Sequence, residues 1–242
     1  IDSVINLAGF SIFNYWTDYN KSKIINSRLQ STSFILNYIL NNKIKIRSFV
    51  SVSGISAYKD SLTGISNEDN LINNPDSFIN QVVINWENQV HQYIEKIPNT
   101  SFSIMRIGLV LSKNGGLYKI CSLLSKFYIL SALGSGLQWQ SWIHEKDVAK
   151  ILITSSENMW RGIFNVVAPN PINQNELIRK IAFNNNSLVL FPNIPKFIVK
   201  IIFGEMSEIL LSSQNVISNN LKDYKFNFTN LDDALKDLKN QV

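Results

Sequence analysis

Between Gly134 and Ala149 the chain reads GSGLQWQSWIHEKDVA, and this stretch holds Ser141, His144 and Asp147. A hydroxyl, an imidazole and a carboxylate are the three residue types of a nucleophilic triad. A triad, however, needs a base in contact with its nucleophile and oriented by a third group, which proximity in sequence does not supply. His144 stands at the end of a short aromatic strand, where an imidazole that titrates near neutral pH could meet a substrate. Asp147 is better placed to cap or charge the N-terminus of a helix expected over Val148–Glu157. A hydrolase using Ser53 and His144 is one reading these residue types leave open. A metal centre is not expected, because the other histidine, His91, is distant in sequence and Cys121 is the only cysteine. Gly134 and Gly136 form a G-x-G, but it precedes a strand instead of opening a helix, so it fails as a phosphate-binding turn; no G-x-G-x-x-G occurs.

These residues need elements to hold them, and the pattern supplies both kinds. Ser3–Leu7, Ser48–Ser53 and Ser103–Leu111 read as strands, rich in Val and Ile without alternation, as suits strands buried on both faces. Between them, Ile25, Leu29, Thr32, Leu36 and Ile39 recur at helical spacing, and Phe78–Glu95 reads as a helix carrying Trp86. Gly162–Asn173, GIFNVVAPNPIN, is a strand that exits through two prolines to Asn173, the expected cap of the next helix. Such alternation predicts an α/β fold, a doubly wound parallel sheet with helices on both faces. From Asn184 the pattern changes to a Pro-containing segment, an amphipathic helix, Phe226 and Phe228, and a last helix over Leu231–Leu238. The division expected is 1–183 and 184–242, the second part a small α+β lobe.

At 242 residues and 45% apolar, the chain can bury one sizeable core. Its net charge of +5 comes from scattered lysines, not a basic face interleaved with aromatics, so no nucleic-acid partner is expected. A single cysteine allows no intrachain disulfide and fits a reducing compartment. The most apolar stretch, Ile194–Phe203, is interrupted by Pro195, Lys196 and Lys200, and falls short of the roughly 18 to 20 residues of a membrane span. Its Phe197, Ile198, Ile201 and Ile202 are expected to pack on the protein. With no basic-then-apolar start, the expectation is a soluble cytoplasmic protein.

The phrases INLAG, SVSGISAY, NWE, RIGLVL, GSGLQW-SWIH, NVVAPNP, GEM and LLSSQ-V occur in that order along nearly the whole chain. In this the sequence resembles atypical short-chain dehydrogenase/reductase (SDR) proteins, the NAD-dependent epimerase-like group of uncertain activity with a DUF1731-type C-terminal extension. The resemblance implies a Rossmann-like sheet lacking its first strands and the glycine-rich turn that grips the cofactor's pyrophosphate. Binding of NAD or NADP is then expected to be weakened, and Ser3–Leu7 to be an open edge that invites a homodimer. It implies an NAD(P)-dependent oxidoreductase or epimerase acting on a small polar, sugar-like carbonyl or alcohol. A non-catalytic, dinucleotide-responsive or interaction protein that retains the cleft is the alternative.

The resemblance also assigns residues. Asn6, Ala8 and Gly9 match the cofactor-facing strand end, with Ser51 and Gly108 beside it. Ser53 matches the serine that orients the substrate oxygen. The Tyr-x-x-x-Lys pair, in which the lysine's charge lowers the phenol's pKa, is absent from its place, where Asp76–Glu87 reads DSFINQVVINWE. Tyr19 and Lys23 have the spacing but precede the serine strand. Glu87 is a candidate replacement base, although a glutamate beside a helical tryptophan is more often solvated, and Tyr58 a spare phenol. Arg28 occupies the position of an active-site asparagine and could take a phosphate or carboxylate bidentately. Gly134, Ser135, Gln138, Trp142 and His144 are expected to converge with Ser53 and Tyr58 on one cleft alongside Asn6 and Gly9.

Overall fold

Strands whose two faces are both apolar must be covered on both sides, and this chain covers them with helices. A computed structural model describes residues 1–70 and 77–241; Asp76, the first residue of the DSFINQVVINWE stretch, lies outside these. Four parallel strands, β1 (Ser3–Asn6), β2 (Ser48–Gly54), β3 (Ser101–Ile107) and β7 (Gly162–Val166), lie in the order β1-β2-β3-β7. Helices α1 (Asp18–Asn41) and α2 (Phe78–Ile94) return the chain from β1 to β2 and from β2 to β3. Leu36, Ile39, Val90 and Tyr93 of these helices bury Phe49, Phe102 and Ile104 on one face. On the other face Val50, Met105 and Val166 pack with Ile151 and Leu152 of α4 (Glu145–Glu157). The molecule is thus an α/β, Rossmann-like layered fold.

The apolar run Ser103–Leu111 is not one strand but two. Gly108 separates β3 from β4 (Leu109–Leu111), which pairs instead with β6 (Trp142–His144). At the break, Gly108 N–H donates to the Val166 carbonyl at 3.2 Å and Leu109 N–H to the Ser141 carbonyl at 2.8 Å. A Cβ at Gly108 would collide with the Ser141 carbonyl oxygen and the Val167 side chain. Helix α3 (Gly116–Lys126) follows, and β5 (Trp139–Gln140) pairs antiparallel with β8 (Ile172–Asn173). Asn173 caps α5 (Gln174–Asn184), its Oδ1 accepting the Glu176 N–H at 2.9 Å.

Two expectations change at the other face of the sheet. His144, not Asp147, caps α4: its Nδ1 accepts the Lys146 N–H at 3.1 Å. The Asp147 carboxylate turns away and accepts the backbone N–H groups of Asn227 and Phe228 at 2.8 and 2.9 Å. The C-terminal part comprises α6 (Lys196–Phe203), α7 (Ser207–Leu211) and α8 (Leu231–Asn240). Helix α8 shares a core with α3 and α5 through Leu231, Leu235, Leu238, Cys121, Leu177 and Ile181. In α6 the face turned inward is that of Val199 and Phe203, continuing to Met206, while Phe197, Ile201 and Ile202 are exposed. The helix is apolar nearly all round and ends at Gly204, with φ of 54°. Among the described residues no helix is long and apolar enough to cross a membrane.

Candidate functional site

Parallel register carries one polar side chain per strand into a row. Ser53 on β2 lies opposite Arg106 on β3, and Arg106 opposite Asn165 on β7. Paired positions of adjacent strands share a face, so these three project toward α2. Helix α2 answers with Glu87. Its carboxylate accepts two bonds from Arg106, Nε to Oε1 at 2.8 Å and Nη2 to Oε2 at 2.7 Å, and a third from the Ser53 hydroxyl to Oε1 at 2.7 Å. Arg106 Nη1 donates to the Tyr58 hydroxyl at 2.9 Å, and that hydroxyl donates onward to Asn165 Oδ1 at 2.9 Å. Asn165 closes the chain by donating from Nδ2 to the Ile217 carbonyl at 2.8 Å.

All five members are buried, and each bond is satisfied internally, the condition under which a polar core is tolerated. Burial by itself works against a charge on Arg106. The bonds and charge of Glu87 outweigh it, and Arg106 is held above its ordinary value. Burial pushes the Tyr58 phenol upward more than the neighbouring Arg106 pulls it down. The Tyr58 hydroxyl is held between the Arg106 donor and the Asn165 acceptor.

Beyond the carboxyl ends of β1, β2 and β3, a cavity of about 430 Å³ opens beside Ser53. In open α/β sheets this is where ligands sit. Its walls are mostly apolar, with Phe13, Val82, Trp86, Leu117 and Leu210 among them, and Gly9, Gly54 and Gly108 bring bare backbone to its surface. The Ser53 hydroxyl donates its hydrogen bond to Glu87, so its oxygen presents lone pairs to a donor in the cavity. Arg28 also lines the space, and burial lowers its pKa.

Of the residues singled out in the sequence, Gly9, Arg28, Ser53 and Gly108 come together at this cavity. Trp86 and Ser141 line it as well, and the remaining candidates do not. Asn6 is buried, its Nδ2 donating to Thr32 Oγ1 at 3.0 Å and its Oδ1 accepting the Ala8 N–H at 3.1 Å, so it shapes the turn that presents Gly9. Ala8 is exposed and Ser51 buried. Tyr58 borders a smaller adjoining recess with Asp60, Ser77 and Asn80. Gly134 and Ser135 build a loop whose Gln138 bonds the Leu133 carbonyl and Gln174 Oε1 at 2.8 and 2.9 Å. Trp142 is enclosed, its indole N–H donating to the Asn170 carbonyl at 2.9 Å. His144 is fully buried, its ring stacked on Phe228 with centroids 4.0 Å apart, and it faces the C-terminal part instead of the cavity. The expected convergence of Ser53 and His144 does not occur, because the α4 cap claims the imidazole.

Sequence reasoning gave Glu87 little weight and passed over Arg106 and Asn165. One signal was available: three apolar strands each carry a hydrogen-bonding or charged residue near the carboxyl end, in SVS, IMRI and FNVV. An arginine in a strand otherwise sealed on both faces requires a buried partner.

Comparisons with known proteins agree with this fold. A model of the NAD dependent epimerase/dehydratase family matches residues 1–166, and one of a domain of unknown function, DUF1731, matches residues 194–238. An epimerase family protein of Staphylococcus saprophyticus is 35% identical over 98% of this chain and 80% of its own length. One from Bacillus subtilis is 31% identical over 98% of this chain and 78% of its own. The crystal structure of a human epimerase family protein with NADPH superposes with a TM-score of 0.89 at 29% identity, covering 100% of this chain and 83% of that one. UDP-glucuronic acid 4-epimerase of Bacillus cereus, in complex with UDP-glucuronic acid and NAD, shares the fold at a TM-score of 0.76 and 16% identity, over 98% and 75% of the two chains.

Proposed function

Since the chain belongs to the NAD dependent epimerase/dehydratase family, we propose that it binds NAD or NADP at the carboxyl ends of β1 to β3 and interconverts an alcohol and a carbonyl on a small substrate. The observation that carries this reading is Ser53, which lines the cavity with its hydroxyl hydrogen bonded to Glu87. Bare backbone at Gly9, Gly54 and Gly108 and the apolar walls fit a flat nicotinamide ring, and Leu7, Gly9, Gly54 and Gly108 would hold it. When bound, the nicotinamide gives or takes hydride.

The chain's own residues orient the other reactant. With its hydrogen pointed at Glu87, Ser53 Oγ accepts a hydrogen bond from a substrate hydroxyl and fixes the carbon that carries it. Oxidation would send the hydroxyl proton to Ser53 Oγ as the serine's own passes to Glu87 Oε1, and reduction would return it to the carbonyl oxygen by the same route. Arg106 holds both oxygens of Glu87, so the carboxylate cannot rotate, and Ser53 inherits that rigidity. Apolar walls keep water from the reacting carbon.

A second reading has its own observation. No Tyr-x-x-x-Lys follows β2, and the nearest phenol, Tyr58, is locked to Arg106 and Asn165, so the site also suits a protein that binds the dinucleotide without turning it over. One experiment separates the two: titrate NADPH and NADH by energy transfer from protein tryptophan to nicotinamide, then follow nicotinamide absorbance with a panel of aldehydes and ketones. The enzyme reading expects Ser53→Ala to lower kcat by about a hundredfold through lost positioning while leaving cofactor affinity in place. Cofactor binding with no turnover of any carbonyl supports the second reading, and failure of both cofactors to bind overturns both.

A further inference from the structure

Two arginines belong to this region in opposite electrostatic circumstances, Arg106 buried behind Ser53 and Arg28 in the cavity wall. Arg106 is matched by a bidentate carboxylate. Arg28, which lines the cavity, has no carboxylate within ion-pairing distance among the described residues. Its Nη1 donates to the carbonyls of Phe10 and Ile24 at 3.0 and 2.9 Å, and its guanidinium carbon lies 5.1 Å from the centre of the Trp86 ring. A Cβ at Gly9 would sit 3.0 Å from Arg28 Cζ, so glycine is what lets the β1 turn lie across this group.

Two backbone acceptors and an aromatic face fix the guanidinium plane without neutralising it. No described group accepts from Nε or Nη2, the edge whose parallel N–H groups match two oxygens of a carboxylate or phosphate. A cation held half out of water, beside a largely apolar wall, lacks a counter-charge that water would otherwise screen.

We infer that Arg28 is the anchor for an oxyanion, a carboxylate or phosphate, carried by the substrate on an otherwise largely apolar body. Resting on the site reading above, this defines the substrate class: an acidic hydroxy or oxo compound whose anion sits at Arg28 while its reacting oxygen sits at Ser53. The cofactor is the other possible source of an oxyanion. Arg28 is assigned to the substrate because Ser53, the group for the reacting oxygen, lines the same cavity.

Calorimetric titration with matched probes tests this: 2-oxohexanoate against 2-hexanone, and hexyl phosphate against hexanol. In at least one pair the anion is expected to bind roughly tenfold or more tightly than its neutral partner, as charged hydrogen bonds require. Arg28→Gln should abolish that preference without weakening NADPH or NADH binding, and Arg28→Lys, which keeps the charge but not the fork, should retain part of it. Circular dichroism melting confirms that each variant is folded; if Arg28→Gln does not fold, Arg28→Lys decides by losing part of the preference. Equal binding within both pairs, no binding of either anion, or a preference unchanged in the variants overturns the inference. So does a loss of cofactor affinity in Arg28→Gln with the anion preference intact, which assigns the oxyanion to the cofactor. The probes need no cofactor, so wild-type failure to bind NADPH and NADH overturns the cofactor reading separately.

Discussion

At the scale of the residue, Glu87 decides whether the buried row across β2, β3 and β7 is an asset or a liability. A buried ion pair is near neutral against a hydrophobic replacement, but removing one partner leaves an uncompensated charge. Glu87→Gln is therefore expected to cost about 3–5 kcal/mol in urea unfolding, whereas exchanging Glu87 and Arg106 together for leucine should cost much less. Equal losses in the two variants would contradict this account. His144 gives the site's opposite face a pH dependence. Burial pushes its pKa below the ordinary value, and the nearby Asp237, 3.3 Å from Nε2, pulls the other way less strongly. The unfolded chain thus takes up a proton before the folded one does. The stability contributed by the neutral imidazole is complete above the ordinary value of 6.5 and is lost as pH falls from there through the folded value. Melting temperature should drop from about pH 7.5 to about pH 5.5, and His144→Asn, which keeps a capping oxygen without a titration, should flatten that slope.

Among the elements, the break between β3 and β4 matters most, because it sends one end of an apolar run to β7 and the other to β6. Gly108→Ala is expected to lower the melting temperature and loosen β4 against β6, with the Ser141 carbonyl and Val167 both in the way of the new methyl. Hydrogen exchange at the Leu109 N–H, bonded to Ser141, is the local readout. Much of this level was legible beforehand. The β2 and β7 runs, the α1 periodicity and the Asn173 cap are local patterns, and local patterns survive folding. The Gly108 break was not legible, since an apolar run says nothing about which neighbour each half will pair with. Nor was the transfer of the cap from Asp147 to His144: both lie within reach of the α4 N-terminus, and Asp147 is instead bonded by Asn227 and Phe228, eighty residues further on. For α6, a helix apolar nearly all round offered no stripe to prefer. The same holds at the site. Gly9, Arg28, Ser53 and Gly108 could be grouped from short motifs, whereas the Glu87–Arg106 pair depends on a register that exists only in the assembled sheet.

On the scale of the whole molecule, one apolar cluster joins α3 and α5 to α8, so the part beginning near residue 184 is packed into the rest and does not hang from it. Cys121 sits within that cluster, and burial raises its thiol to about 12. Only the thiolate reacts with alkylating and disulfide reagents. Labelling of the native protein by a thiol reagent is therefore expected to be negligible and to appear in step with unfolding of the shared core, followed by circular dichroism across a urea series. Rapid labelling in the absence of urea would show that α8 detaches on its own.

The cavity itself is walled by residues from widely separated parts of the chain: Leu7 and Gly9, Ser53, Gly108, and then Ile209, Leu210, Ser212 and Gln214. Translation delivers these in order, at about 5–20 residues per second. The sheet that carries Ser53 and Arg106 can assemble early, yet roughly ten seconds pass at such a rate between the emergence of Gly108 and that of Gln214. During that interval the nascent chain holds a half-built pocket, with Phe13, Val82 and Trp86 turned toward water. The pocket that Ser53 and Gly108 begin is therefore finished only by the segment around Gln214.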